Sequence, residues 1–310
     1  MPETLRPMST GEVLDRTFNL YRHHFLLFFA IAMVGPGVLL VIQIGSSLLG
    51  QAGPSFVGHS DVVTAIGVVG ILVGVLAYLI GFSISQGATI YAVSALHLGR
   101  TTTISESFAR LRGRYGRVIN VMLSVWLRVF GGGALLMMAA IIIGTTTAIA
   151  IRSMGMAGVI IVSVVAIVLA IVAAVLSISL FVRYSLAVQA CVLEDIKARA
   201  ALRRSAILAK GSRNRILTVY TLAFLVTLIV SWTLVLPVSF WQVSTHGSLF
   251  ATIVSHVVGF LSGALVGPVV AIAMSLLYYD ERVRKEAFDI EWMMTALDGP
   301  SAATSPSTAG

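Results

Sequence analysis

Four arginines lie within eight positions of one short segment, and their side chains are the first candidates for a chemical role. The segment reads ARLRGRYGRVIN over residues 109–120, and its cations are Arg110, Arg112, Arg114 and Arg117. Clustered guanidinium groups bind the phosphates of nucleic acids and of lipid headgroups, and they also fix the side of a membrane on which a loop lies. The flanking segments decide among these roles.

Similar basic residues occur before the first apolar segment and again over 197–215. Each cluster lies within a turn of an apolar segment, and no soluble domain offers a groove-reading or stacking surface, so nucleic acid is not a predicted partner. Beside a membrane, each lysine or arginine attracts anionic lipid by about 1 kcal/mol. Such charges also fix topology without specific lipid contacts, and this simpler explanation is the baseline. The candidate headgroup contacts are Arg22, Arg112, Arg114, Arg117, Lys210, Arg213 and Arg215.

The composition is that of an integral membrane protein. The mean hydropathy is +0.96, and 57% of the residues are hydrophobic while 11% are charged. A bilayer needs about 20 apolar residues per helix and offers no partner for an open strand edge. We therefore predict an all-α, polytopic membrane bundle with six transmembrane helices. The apolar segments lie near 25–49, 62–93, 118–151, 156–190, 216–241 and 249–279.

The lysines and arginines predict the orientation of this bundle. Nineteen of the 21 lie in the N-terminal segment, 94–117, 183–215 or the C-terminal segment, which alternate spans place on one side. The opposite side, with an expected turn at Arg152, carries one. Because positive charge is retained on the cytoplasmic side, both termini are predicted to be cytoplasmic.

The basic clusters belong to an internal repeat. SESFARLRGRYGRVINV aligns with RRSAILAKGSRNRILTV at an offset of 98 residues, and EVLDRTFNLYRHHFLLF fits at an offset of 90 before the first. We predict a single membrane domain over 1–298 built from tandem units of an interfacial helix and a transmembrane hairpin. The units span about 9–95, 96–192 and 193–280.

The interfacial helices are predicted from apolar residues at helical spacing. Leu14, Phe18 and Tyr21 form one stripe, and Ile104, Phe108 and Leu111 form the next. After the last span, about 281–297 reads as a further amphipathic helix. Residues 299–310 are small and polar and are expected to be a disordered tail.

The stretch CVLEDIKARAALRRSAILAKGSRNRIL resembles a pattern of bacterial multi-pass membrane proteins. These are grouped as the membrane domain of glycerophosphoryl diester phosphodiesterases, with related uncharacterised families. Glu194, Ala201, Leu202 and Ser205 carry the resemblance. It implies a protein of the bacterial inner membrane without a demonstrated biochemical role. In enzymatic relatives catalysis belongs to a separate soluble barrel, whose His-Arg pair and Glu-x-Asp metal pair do not occur here, so no catalytic, cofactor-binding or metal-ligating residue is predicted.

Arg128 is a cation inside the third apolar segment, about 16 Å beyond Arg117 along a helix. Near a bilayer centre a charge costs about 2.5–3.5 kcal/mol and is a functional candidate. Three placements are open. The helix is interfacial up to Trp126, which leaves Arg128 at the headgroups; or glycines 131–133 break the helix and expose carbonyls to the guanidinium; or Arg128 lines a polar cavity that accepts an anion.

Stripes of glycine predict close helix packing, because a missing side chain lets two backbones approach. Packing within the chain is favoured over packing between copies, although a homo-oligomer or other membrane-protein partners are open alternatives. The packing candidates are Gly67, Gly70, Gly74, Gly81, Gly259, Gly263 and Gly267.

We therefore expect a non-enzymatic integral membrane protein with an accessory, scaffold or lipid-interacting role, whose partners are membrane lipids with anionic headgroups. The alternative is a transporter or channel for a small anionic or lipidic solute with Arg128 in its path. An integral membrane enzyme ranks third, since Glu194, Asp195 and isolated histidines are the only acid–base groups of note.

Overall fold

The computed structural model describes residues 7–51 and 60–286. Within these ranges it describes no side chains at 49–51, at 60–68 and 71, or at most positions from 133 to 162. The described residues form helices and connections without a strand. The helices are α1 Thr10–His23, α2 Phe25–Ala32, α3 Val34–Gln51, α4 Ser60–His97, α5 Ile104–Ala109, α6 Tyr115–Tyr184, α7 Ala187–Leu193, α8 Ala198–Leu208, α9 Arg213–Ser244 and α10 Leu249–Glu286.

Long apolar helices confirm the membrane class. Among the described residues four stretches have the length and composition to cross a membrane, and a fifth arises if α2 and α3, which meet at a 45° bend, count as one span. The four are Leu72–His97, Ser163–Leu193, Arg213–Ser244 and Leu249–Glu286. The chain is thus an all-helical protein with several membrane-spanning segments.

Helix α6 doubles back on itself. A Cβ atom on Gly132 would lie 3.9 Å from the Leu176 side chain, whereas a straight helix would separate these residues by about 66 Å. The start of α6 also meets the segment after α7, where Arg117 contacts Asp195. The reversal occurs without the non-helical turn expected at Arg152, because the backbone is helical throughout 115–184.

The connections between helices gather the charged residues at one end of the bundle, here called the polar end. Residues just before α1, the start of α9 and the end of α10 meet there, as Met8 and Arg215 both contact Asp280. The end of α4 joins them through the Ser94 and Tyr279 hydroxyls, 2.6 Å apart. At the opposite end Ser47 lies 3.1 Å from the His256 ring, so this histidine is hydrogen-bonded between α3 and α10.

Helix α1 begins with a capping box and packs against α10. The Ser9 hydroxyl accepts a hydrogen bond from the backbone N–H of Glu12, which returns its carboxylate to the N–H of Ser9. The Tyr21 hydroxyl donates to the carbonyl of Leu265, about 22 Å along α10 from Asp280. Helix α1 therefore runs alongside α10, and its placement flat on the leaflet stays a prediction.

The buried faces of α1 and α5 are also rotated from the predicted apolar stripes. Val13 and Thr17 are fully buried in α1, while Phe18 is exposed; in the second unit Ser107 is fully buried and Ile104 exposed. Hydroxyl groups can occupy these faces because they bond to a carbonyl one turn earlier, as Thr17 does to Val13.

Three sets of positions paired by the sequence alignment are buried in every unit. Every residue of these sets is almost or fully inaccessible to solvent. The first set has a hydroxyl in every unit, and the other two have apolar side chains that join one hydrophobic core. The sets are Thr17, Ser107 and Ser205; Phe28, Val118 and Ile216; and Ile31, Val121 and Val219.

The helix after the last span is not a separate element where the structure describes it. Helix α10 continues without a break to Glu286, and residues 287–297 of the expected amphipathic helix lie outside the described residues. Val283 is buried in α10 rather than on a leaflet-facing surface.

Close packing of glycine occurs at some of the candidate positions. A Cβ on Gly74 would lie 3.2 Å from Ile42, one on Gly81 would lie 3.4 Å from Val38, and one on Gly263 would lie 3.1 Å from Pro36. These contacts are all within the chain. Gly67 lies outside the described side chains, and a methyl group at Gly70, Gly259 or Gly267 would meet nothing within 4 Å.

Replacing Gly35 tests a close approach between two helix backbones. A Cβ there would lie 3.1 Å from the backbone Cα of Phe82 in α4, and backbone cannot move aside cheaply. We expect Gly35→Ala to destabilise the protein by about 1–3 kcal/mol. Gly45 of the same helix has open space at its Cβ position, so Gly45→Ala should be neutral or slightly stabilising. Thermal unfolding in detergent measures both, and equal stabilities would contradict this packing.

Candidate functional site

The polar end contains two carboxylates that are shielded from solvent almost completely. Asp280 is 1% and Glu281 0% exposed, at the end of α10. Burying a charge costs several kcal/mol unless it is paired and hydrogen-bonded. Arg215 pairs with both carboxylates, Arg284 Nε donates to Asp280 Oδ2 at 2.8 Å, and Lys285 Nζ lies 3.0 Å from Glu281 Oε2. This group of ion pairs joins α9 to α10.

The same ion pairs hold the segment before α1. The backbone N–H of Met8 donates to Asp280 Oδ1 at 2.5 Å. Its carbonyl accepts from Arg215 Nη2 at 2.7 Å and from Arg284 Nη2 at 2.6 Å. The acids and bases at this place therefore satisfy one another and a backbone group, and the pairs act as a structural lock.

A second ionic network links α8 to α10. Arg204 Nε donates to both oxygens of Glu194, at 2.9 and 3.0 Å, and Arg204 Nη2 donates to Glu286 at 2.7 Å. Tyr278 donates to the same Glu194 carboxylate at 2.5 Å. Burial lowers the pKa of Arg204, but the hydrogen bonds to Glu286 and Glu194 raise it more, and the net shift is upward. The guanidinium is fully engaged in structure.

Arg215→Met tests the lock, because it leaves Asp280 and Glu281 buried with too few partners. Losing one member of a buried pair is strongly destabilising, and we expect a loss of about 3 kcal/mol. The matched control is Arg213→Met, two residues earlier on the surface, which should change stability by less than about 0.5 kcal/mol. Chemical or thermal unfolding in detergent measures the difference. Equal losses would mean that the buried acids do not depend on Arg215.

A cavity at the polar end is lined by more cations than carboxylates. Its volume is ≈ 210 Å³, and it lies between the end of α4, the turn before α6, the first turn of α6 and the end of α7. The residues that line it are Tyr91, Ser94, Arg110, Leu111, Arg114, Arg117, Val118, Cys191, Val192, Leu193 and Asp195. We call it the arginine cavity, because three arginines stand against one carboxylate among these residues.

The local backbone explains why these arginines converge. Gly113 adopts φ +81, a left-handed conformation that favours glycine, and it reverses the chain between α5 and α6. Arg114 is the N-cap of α6 and Arg117 lies in its first turn. The Arg110 guanidinium lies 6.0 Å from the centre of the Tyr91 ring, within cation–π range. The turn thus aims three cations at one space.

Asp195 is the internal partner of two of these arginines. Arg114 Nη2 lies 3.1 Å from Asp195 Oδ2, and Arg117 Nη1 lies 2.5 Å from Oδ1. Arg117 also donates to the Asp195 carbonyl at 2.8 Å. Asp195 has φ 54, which aspartate tolerates better than most residues. Its side chain is 46% exposed, so this ion pair is far more open to solvent than the lock.

The arginine cavity and the lock occupy aligned places in the repeat. Gly211 has φ +86 at the position aligned with Gly113, and Arg215 aligns with Arg117. In the third unit Arg215 faces two buried carboxylates, which also pair with Arg284 and Lys285, so three cations meet two carboxylates. In the second unit Arg117 faces one exposed carboxylate, and positive charge remains in excess. The two places differ in their carboxylates: Asp280 and Glu281 are buried, whereas Asp195 is half-exposed, so the arginine cavity is the place where an incoming anion can replace the internal partner.

The seven predicted headgroup contacts therefore have different surroundings. Arg22, Arg112, Lys210 and Arg213 are exposed, and Arg114 and Arg117 line the arginine cavity. Arg215 is held by internal carboxylates, a role that the sequence did not predict. Specific lipid contact at any of these positions stays a prediction.

Arg128 lies on the outside of the bundle. Its side chain is exposed, and Nη1 donates to the carbonyl of Ser124 in the same helix at 2.9 Å. A break at glycines 131–133 is wrong, since α6 is helical through them. Arg128 lines neither the arginine cavity nor the cavity beside Arg213 and Arg215.

The sequence did not predict that four residues would lie beside the clustered arginines at the polar end, namely Tyr91, Asp195, Asp280 and Glu281. Asp280 and Glu281 follow an apolar span directly, and acids in that position need cationic partners; this signal was available. No group of three or more histidine, cysteine, aspartate or glutamate side chains suited to a metal ion occurs among the described residues.

Comparison with known proteins adds no relative. No protein-family model, no curated protein and no solved structure matches the chain. The resemblance to the phosphodiesterase membrane-domain group stays a prediction.

Proposed function

We propose that this chain is a six-pass protein of the bacterial inner membrane, with both termini cytoplasmic, that interacts with anionic lipids through its polar end. The role is that of a non-enzymatic accessory or scaffold protein. The observation that carries the proposal is the uncompensated positive charge of the arginine cavity at the end where the connecting segments meet.

The count of six passes is supported by the reversal of α6. The bent pair α2 and α3, then α4, α9 and α10, supply four passes, and the two arms of α6 supply two more. The second arm contains the apolar stretch Ser163–Leu193. The first arm begins at the polar end, where Val118 and Val121 are buried in the same core as Val182 near the end of the second arm.

The proposal of tandem units is supported by the shared burial of aligned positions and by the left-handed glycines at 113 and 211. Equivalent hydroxyl groups at Thr17, Ser107 and Ser205 point to one ancestral packing scheme. The units have since diverged, because their hydroxyls have different partners. Ser205 donates to the Arg183 carbonyl across elements, while Ser107 donates within its own helix.

The cytoplasmic assignment is supported by the distribution of cations. Nineteen of the 21 lysines and arginines belong to segments at the polar end or leading to it. Such segments are retained on the cytoplasmic side, where the leaflet surface also carries anionic lipid. The alternative, a transporter or channel with Arg128 in its path, would need this exposed residue to face a solute pathway.

Lipids that co-purify with the protein test this function. We expect anionic lipids to be enriched over their share of the membrane, as measured by mass spectrometry of protein extracted in mild detergent. The Arg112→Gln, Arg114→Gln, Arg117→Gln triple variant should lose most of this enrichment, because about 1 kcal/mol per cation acts near the leaflet.

The matched control removes the same charge from the polar end but from α8 and its N-cap. Lys197→Gln, Arg199→Gln, Arg203→Gln changes three exposed cations and should retain the larger part of the enrichment. Absence of anionic lipid enrichment in the unaltered protein would refute the proposed function.

A further inference from the structure

We infer that the arginine cavity is a binding site for a phosphomonoester dianion, with Asp195 as an internal counterion that the ligand displaces. This inference deepens the proposed function and rests on it for the lipid source of the ligand. The shared chemistry is a terminal phosphate, carried either by the headgroup of phosphatidic acid or by free phosphate.

The donors are already arranged around an oxyanion. The Asp195 carboxylate lies against Arg114 Nη2 and Arg117 Nη1, which is the pairing that a phosphate oxygen would make with the same nitrogens. Arg110 contributes a third guanidinium, oriented over the Tyr91 ring. The first turn of α6 adds the positive end of a helix dipole beside Arg114.

Charge selects a phosphomonoester over a diester. Three guanidinium groups and one carboxylate line the cavity, which leaves an excess of two positive charges. A phosphomonoester carries about −1.5 to −2 at pH 7 and offsets this excess, whereas a diester carries a single charge. A second carboxylate, Glu106, accepts a 3.4 Å hydrogen bond from Tyr91. It is not counted in this balance because it does not line the cavity.

The Asp195 carboxylate can move away from the arginines while its backbone stays in place. Arg117 Nη1 donates to the Asp195 backbone carbonyl at 2.8 Å as well as to the carboxylate, so the carbonyl contact can remain when the carboxylate turns away. The carboxylate itself is 46% exposed, so turning it into water costs little desolvation energy. Arg114, 48% exposed, is free to follow the incoming anion.

The size and floor of the cavity suit a phosphate with an attached apolar group. A cavity needs about 10–15 Å³ to hold one water molecule. The arginine cavity, at ≈ 210 Å³, therefore has room for a group of several heavy atoms. Leu111, Val118 and Cys191 form apolar walls below the arginines. A phosphate at the arginines would place its ester group toward these walls.

The first test is calorimetric titration of the detergent-purified protein with inorganic phosphate. Arg114→Gln should weaken binding by about tenfold or more, since it removes a charge-assisted hydrogen bond. Arg112→Gln removes an equal charge two residues away, outside the cavity lining, and should weaken binding less than threefold. Asp195→Asn keeps a residue that tolerates this backbone conformation and removes the competing charge, so it should tighten binding severalfold.

Vesicles distinguish the two sources of phosphate. Reconstitution with equal amounts of phosphatidic acid and phosphatidylglycerol, followed by analysis of bound lipid, should show a preference for phosphatidic acid that added phosphate lowers if the lipid is the ligand. Phosphate binding with no lipid preference makes the free anion the ligand. Both results support the site.

Equal effects of Arg114→Gln and Arg112→Gln on phosphate binding, or weaker binding by Asp195→Asn, would overturn the inference. Failure of this site is separable from failure of the proposed function. Anionic lipids that remain enriched while Arg114→Gln changes nothing would refute the phosphomonoester site alone. Phosphate binding without any anionic lipid enrichment would refute the lipid role alone.

Discussion

A bilayer interior offers no partner for a charge, and this constraint organises the whole molecule. Among the described residues Arg128 and Arg152 lie within α6, but most charged residues lie in the connections and near helix ends, and many of them meet at one end of the bundle. Because many helix ends converge there, cations and carboxylates from distant parts of the sequence become neighbours. Met8, Arg215 and Asp280 are brought together in this way, and so are Arg117 and Asp195.

The same arrangement gives stability in one place and an open charge in another. Around Asp280 and Glu281 the carboxylates are buried and pair with Arg215, Arg284 and Lys285, so α9, α10 and the segment before α1 are fixed to one another. Around Asp195 the single carboxylate is half-exposed and outnumbered. A repeated chain can thus keep one copy of a polar turn as structure while another acquires capacity for a ligand.

The sequence predicted the membrane class and the basic clusters, because hydropathy and charge can be read directly along the chain. It did not predict which carboxylate meets which arginine. Arg215 looked like a lipid contact, since its partners lie 65 and 66 residues away and only the packing of α9 on α10 joins them. In α1 the buried face contains Val13 and Thr17, one position away from the predicted stripe of Leu14 and Phe18. A search for apolar residues at helical spacing does not find this face, because Thr17 is polar.

Helix α6 illustrates a different limit. The two apolar segments predicted a hairpin with a loop at Arg152, and the arms do return to the same end, yet the backbone stays helical between them. Three consecutive glycines at 131–133 therefore did not break the helix, and the chain reverses elsewhere in α6.

The most direct test of the proposed function is to determine on which side of the membrane the polar end lies. In a Cys191→Ala background, Ser248→Cys at the opposite end and Lys197→Cys at the polar end can be exposed to a membrane-impermeant maleimide. In intact cells we expect Ser248→Cys to react and Lys197→Cys to react only after the membrane is opened. Labelling of Lys197→Cys in intact cells would contradict the orientation and, with it, the meeting of these arginines with cytoplasmic-leaflet phosphate.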